Sequence, residues 1–398
     1  MTVRFLASLL SFCLLAMPLH AATLETTITP EMSEMGCSAR LVGTIEAGDL
    51  ERIQSYLDRS IPEDTDDFDP YSDSPSWRNF SPAVTYGQPG RFIHRLCLNS
   101  PGGSLTEAMR IAAYLRAHPG GGIGQAYGLP TAIARGDRCE SACAFIFFAG
   151  RFVFYPGVAN YEGHENFLLN PEGRLGLHAP FLSFDQPAYS NPEIRTIWRI
   201  GMEATALISR NVSNGNIQMP RDLFTEMLTY PADDMLYMET VGQAVRWGLQ
   251  VVPNITHHGY FPFSEDDVFS SLCLNAPPLA PVYVDLYTDK VTLQGSRTEG
   301  DTVVSKQDFT DRRSGYRFAC KVERSQLALP EERDVIAPLN RPLVEGDQTV
   351  FPGTTDACFR VSYFSSDCEQ CEFSVDLPCI AAFPPETRLP DLAALADR

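Results

Sequence analysis

Between residues 40 and 150 the apolar positions change period repeatedly, passing from short continuous runs to helical spacing and back. Residues 40–46, Arg-Leu-Val-Gly-Thr-Ile-Glu, read as a strand, and residues 49–58 then place Leu50, Ile53 and Leu57 at helical spacing. Residues 62–90 follow neither period; acidic, aromatic and rich in Pro and Ser, they read as a surface loop or insertion. Phe92 to Leu98 is the next strand and runs straight into Asn99-Ser100-Pro101-Gly102-Gly103. Ser104 and Glu107 form a Ser-x-x-Glu capping box ahead of Leu105, Ala108, Met109, Ala112 and Leu115, so the two glycines sit at a helix entrance. Leu129 to Ala134 predicts a short strand, and a turn ending at Glu140-Ser141 opens Ala142 to Ala149, apolar enough to predict a helix buried on all sides. Strands alternating with helices in this way predict an α/β layer fold with a mainly parallel sheet.

The pattern shifts near residue 262. Beyond residue 270, Pro281 to Leu286, Lys290 to Leu293, Tyr316 to Val322 and Cys358 to Phe364 alternate or carry β-branched and aromatic residues, and cysteines crowd in. The chain accordingly divides into an α/β domain over 22–262 and a small disulfide-bearing β domain over 263–398. The final segment, Pro384 to Arg398, reads as a short docking helix or a frayed tail. Residues 1–21 have the form of a secretory signal: Arg4 precedes the apolar run Leu6 to Met17, too short to span a bilayer, and Ala21 offers a cleavage site. Phe12 is too bulky beside Cys13 for lipid attachment. An exported protein, periplasmic or secreted and without a membrane anchor, is the expectation.

Charge narrows the partners. Losing Arg4 with the signal takes the formal net charge from -19 to -20, which makes nucleic acid an improbable partner and leaves no basic patch for anionic lipid. Eleven cysteines, less Cys13, leave an even number, which in an oxidising compartment favours disulfides. A zinc site on Cys368 and Cys371 is the competing reading, but a second ligand pair with matching spacing is missing, so no metal and no cofactor is expected.

Three segments carry candidate chemistry: Asn99-Ser100-Pro101-Gly102-Gly103, then Arg138-Cys139-Glu140-Ser141-Ala142-Cys143, then Leu177-His178-Ala179-Pro180. A serine hydroxyl is a poor nucleophile unless a base takes its proton and fixed N–H donors receive the oxyanion. Ser141 opens a helix, where N–H groups are free and the dipole favours negative charge; taken by itself, such a serine reads more simply as a helix cap. Taken together and in this order, the segments resemble the proteolytic subunit of the caseinolytic (Clp) protease and its relatives in the wider crotonase-like fold, over about residues 38–252. The resemblance implies Ser141 as nucleophile, His178 as general base, and the amides of Gly102 and Ala142 as oxyanion hole. It places an aspartate just before a segment matching Gln243-Ala244-Val245-Arg246-Trp247-Gly248-Leu249; Asp234 is the first choice and Asp233 the second, once an offset of two or three residues is absorbed, and a plain surface-turn role for both is the alternative. His164 is a competing base in a more polar setting, and His178 also admits a plain role as a hydrogen-bonded core histidine. A Ser-Lys dyad, used by related signal-peptide-digesting proteases, is excluded from the first domain because the first lysine is Lys290. Cys139 and Cys143 bracket Ser141; a disulfide from either would lock the turn, with Cys97 as another partner, while Cys143 also suits the core as a small hydrophobe.

The expected function is therefore an exported, ATP-independent serine peptidase acting on peptides or unfolded proteins through an acyl-enzyme. No Walker-type run is present to bind ATP. A noncatalytic scaffold of the same fold that binds peptides or a protein partner is the alternative, and acyl-CoA chemistry fits poorly with export. Relatives are commonly ring-shaped oligomers; whether this chain is a homo-oligomer depends on an interface that the acidic loop and the extra domain are able to block.

Overall fold

The computed structural model describes residues 21–60, 95–117, 128–152, 164–165, 167–180, 190–231, 234–251, 265–277, 286–287, 296–300, 302–305, 309–323, 359–365 and 368–396. The predicted signal up to residue 20, the acidic insertion, Asp233 and most of the strands expected at 281–286 and 290–293 lie outside these residues.

The first part of the chain runs β1 (Thr23–Glu25), α1 (Pro30–Glu34), β2 (Ala39–Val42), α2 (Asp49–Ser60), β3 (Leu96–Asn99), α3 (Leu105–Ala117), β4 (Thr131–Ile133), β5 (Arg138–Glu140) and α4 (Ala142–Phe147). It continues through β6 (Arg151–Phe152), β7 (His164–Glu165), β8 (Phe167–Leu169), β9 (Arg174–Leu177), α5 (Asn191–Ser213), α6 (Arg221–Met227), β10 (Leu236–Tyr237), α7 (Val241–Arg246) and β11 (Gln250–Val251). One sheet has the order β1-β2-β3-β4-β8-β11, parallel throughout except for β1 at its edge. A smaller sheet, β10-β9-β5, pairs β5 with β9 in parallel and β10 against β9 in antiparallel. Parallel strands buried on both faces need continuous apolar runs, which explains why Leu96, Cys97 and Leu98 and all of β4 and β8 are buried. Every residue of α4 is buried, and Phe147, Phe148 and Phe167 meet with ring centroids 5.3 to 5.4 Å apart. A helix with no polar face is stable only where protein surrounds it completely.

Glu107 does not close the capping box expected at α3. Ser104 Oγ accepts the Glu107 N–H at 3.2 Å, but the Ser104 N–H is already taken by the Ile45 carbonyl at 2.8 Å. The Glu107 carboxylate instead accepts the Gly48 and Leu50 amides at 3.1 and 3.0 Å, capping the first turn of α2 from the neighbouring helix.

The second part comprises α8 (Glu265–Asn275), β12 (Leu286–Tyr287), β13 (Ser296–Glu299), β14 (Thr302–Ser305), β15 (Phe309–Asp311), β16 (Arg317–Glu323), β17 (Phe359–Ser365), β18 (Cys368–Leu377) and α9 (Leu389–Ala396). Its described strands pair antiparallel. The Asn275 amide donates to the Ala381 and Phe383 carbonyls at 2.9 Å each, tying α8 to the turn ahead of α9. Residues 385–389 then run beside the segment after β10: the Val241 and Gly242 amides donate to Thr387 and Pro385, and the Leu389 amide donates to Glu239. The architecture is thus mixed α/β, with parallel and antiparallel sheets. It holds three disulfides among the described residues, Cys37–Cys97, Cys139–Cys143 and Cys273–Cys320. Among those residues no helix is long and apolar enough to cross a membrane, and the disulfides are compatible with an exported protein.

Asp137, buried in the turn between β4 and β5, faces Arg40 at 3.2 Å, while Arg40 also holds Glu25 at 2.7 Å. Burial pushes the Asp137 carboxyl up to about 6, against the opposing pull of Arg40. Because the folded value lies above the unfolded one, near 3.9, protonation favours the fold: the contribution is complete below about pH 4 and is lost as pH rises through about 6. In urea unfolding, the stability of wild type relative to Asp137→Asn is expected to fall by up to about 3 kcal/mol between pH 4 and pH 7. A difference that does not change with pH would refute this.

Candidate active site

The parallel register of β5 on β9 pairs Arg138 with Arg174, Cys139 with Leu175 and Glu140 with Gly176, and the Ser141 amide extends it by donating to the Gly176 carbonyl at 3.0 Å. The strand ends there because Ser141 adopts φ 56° and ψ -123°, the one positive φ of a non-glycine residue among those described. An L-residue held so far from the allowed basins costs about 1–3 kcal/mol, a penalty that surrounding structure has to hold in place. A sharp strand-to-helix turn of this kind lifts a side chain clear of both elements. Ser141 is partly exposed and its side chain makes no capping hydrogen bond to α4, so the hydroxyl is not spent on the capping role that its local sequence suggests.

Gly102 lies directly against this turn. A Cβ there would sit 2.7 Å from both the Glu140 carbonyl oxygen and the Ser141 Cβ, and 3.1 Å from the Ala142 nitrogen; with φ at +97°, only glycine suits the position. The motif is strapped down on both sides. The Ser100 amide donates to Arg138 at 2.7 Å, the Glu140 amide to Ser100 at 3.0 Å, and the Ile45 amide to Gly102 at 2.8 Å. The Gly102 amide itself donates to the Ser100 hydroxyl at 3.0 Å. None of the described hydrogen bonds takes the Ala142 N–H, which stands at the first turn of α4 where helix amides have no internal partner.

His178 leaves β9 two residues beyond Gly176 and is buried. The register therefore brings the imidazole to the end of the strand that receives the Ser141 amide. Its Nδ1 lies 2.7 Å from the Ala179 carbonyl oxygen. A carbonyl only accepts, so this contact puts the proton on Nδ1 and leaves Nε2 as the basic nitrogen. Across the sheet, Leu236 pairs with Leu177 and Tyr237 with Gly176, while the Ala179 amide donates to the Tyr230 carbonyl at 2.9 Å; Asp234 precedes β10 by two residues. Asp234 is exposed, and its Oδ1 accepts the Met235 amide at 2.8 Å. His164 belongs to the separate β6–β7 ladder.

Three participants were missed by sequence reasoning. Ser100 is completely buried and holds the Gly102 amide, and the Ala179 carbonyl fixes the imidazole tautomer. The third is a cluster on the same small sheet: the Glu140 carboxylate takes Arg174 at 2.8 Å, Arg138 at 3.6 Å and the Tyr237 hydroxyl at 3.2 Å. Burial and the neighbouring Glu140 carboxylate push the Tyr237 phenol up. The alternation Arg138-x-Glu140 on β5 is the sequence signal for this cluster, since residues two apart share a face. No cluster of His, Cys, Asp and Glu suited to a metal ion occurs among the described residues; the side chains of Cys368 and Cys371 are not among them.

No family model matches the chain, and no curated protein matches it. Among solved structures it is similar to a mutant of the 1510-N membrane-bound stomatin-specific protease, with 14% identity and a TM-score of 0.31, covering 55% of this chain and 80% of that one.

Proposed function

We propose that this protein is an exported, ATP-independent serine peptidase of the Clp-type, crotonase-like kind, cleaving short or unfolded peptides through an acyl-enzyme. The observation that carries the reading is the Ser141 turn: a strained serine, free of capping duty, beside an amide without a described partner and a glycine that admits close approach. His178 Nε2 takes the Ser141 hydroxyl proton as Oγ bonds to the substrate carbonyl carbon. The amides of Ala142 and Gly102 receive the oxyanion, with Gly102 turning its N–H from the Ser100 hydroxyl to the new charge. Collapse of the tetrahedral species breaks the C–N bond, and the imidazolium returns its proton to the departing amine. Water, deprotonated by the same imidazole, then hydrolyses the ester and restores Ser141. Asp234, two residues before β10, is the carboxylate proposed to support the imidazolium, while the Ala179 carbonyl holds its tautomer.

The test is labelling of the mature protein with a fluorophosphonate, followed by mapping of the adduct by mass spectrometry. A single phosphonyl group on Ser141, with fluoride displaced, is expected, together with cleavage of an unfolded protein in the absence of ATP. No adduct, or an adduct elsewhere, overturns the reading and favours the noncatalytic scaffold.

A further inference from the structure

We infer that the Cys139–Cys143 disulfide is the positioning device of the nucleophile, so that the enzyme becomes competent only once this pair is oxidised; this rests on the serine peptidase reading above. The bridge spans four residues and closes around Ser141, joining the end of β5 to the first turn of α4. Both cysteines are completely buried, and Ser141, the middle one of the three residues between them, is the one with the unfavourable backbone. A strained turn persists only where its neighbours over-determine it. On one side the Ser141 amide is fixed to Gly176 and the Glu140 amide to Ser100. On the other side the Ala144 amide donates to the Ser141 carbonyl at 3.0 Å, closing the first turn of α4 on itself, and the covalent link ties that turn to the strand. With the thiols reduced, Ser141 is free to relax towards an ordinary φ, which carries its hydroxyl away from His178 and turns the Ala142 amide away from the oxyanion position.

Activation is an exchange with a disulfide donor of the thiol–disulfide oxidoreductase class. The two thiols give up two electrons and two protons, the Sγ–Sγ bond forms, and the donor leaves as two thiols. In a reducing compartment the nascent peptidase is thus held inactive, and it gains activity where disulfides form.

The experiment compares wild type with the double variant Cys139→Ala/Cys143→Ala, and with Cys273→Ala/Cys320→Ala as a control for general loss of a bridge. Fluorophosphonate labelling rate, kcat and KM are read beside circular dichroism. The expected result is a fall of at least tenfold in labelling rate and kcat for the first variant, with KM within about threefold of wild type and the spectrum retained. The control pair leaves labelling within about threefold. Should the first variant fail to fold, wild type titrated with dithiothreitol, with its thiols mapped by mass spectrometry, gives the same reading as labelling lost in step with Cys139–Cys143 reduction and regained on reoxidation. Labelling at the wild-type rate without this bridge overturns the inference and leaves the peptidase reading intact. Absence of labelling in wild type itself sinks the peptidase reading instead.

Discussion

Replacing His178 with alanine is expected to slow acylation by about 10⁴-fold, with KM for a peptide ester little changed. The size follows from the position of the imidazole. It is buried at the end of β9, its tautomer is fixed through Ala179, and no lysine lies in the first part of the chain to substitute as a base. Steady-state hydrolysis of a chromogenic peptide ester measures the effect. Exogenous imidazole is expected to restore part of the rate, because the alanine leaves a ring-sized space where His178 is buried. A loss smaller than tenfold would assign the proton transfer to another group.

Gly102→Ala is expected to remove activity and stability together. The added methyl would meet the Glu140 carbonyl and the Ser141 Cβ at 2.7 Å, and both atoms belong to the turn that shapes Ser141. Backbone cannot yield as a flexible side chain does, so the turn or the glycine strand has to move. Labelling is expected to fall by more than about 100-fold, and the fold to lose about 3 kcal/mol from strain and overlap combined. Gly136→Ala separates the two causes. Gly136 also has a positive φ, +74°, but a Cβ there meets nothing within 4 Å. That variant is expected to lose only about 1 kcal/mol and to label normally. Equal effects at both positions would show that crowding against Ser141 is immaterial.

The alternation of strand and helix is legible in the sequence alone, because buried parallel strands and a fully buried α4 leave unmistakable apolar runs at Leu96–Leu98 and Ala142–Phe147. The encounter of Gly102 with Ser141 is legible only through the resemblance, since they lie 39 positions apart and nothing local says that they touch. Glu107 illustrates the opposite case. Its spacing from Ser104 predicted a box closed within one helix, yet Ile45 took the amide first and the carboxylate went to α2. The Ala179 carbonyl was invisible for a simpler reason: every residue has one, and only geometry selects the one that meets Nδ1. The disulfide partners were likewise open, because evenness of count says nothing about pairing; Cys97 goes to Cys37, and Cys139 to Cys143.

Residues 385–389 lie about 150 positions downstream of the segment 239–242 to which their main chain is hydrogen-bonded, and that segment follows directly on β10. Synthesis is vectorial, so the segment that follows β10 gains these backbone partners only after about 150 further residues have been made. The surroundings of β10 are therefore completed late in the order in which the chain is made.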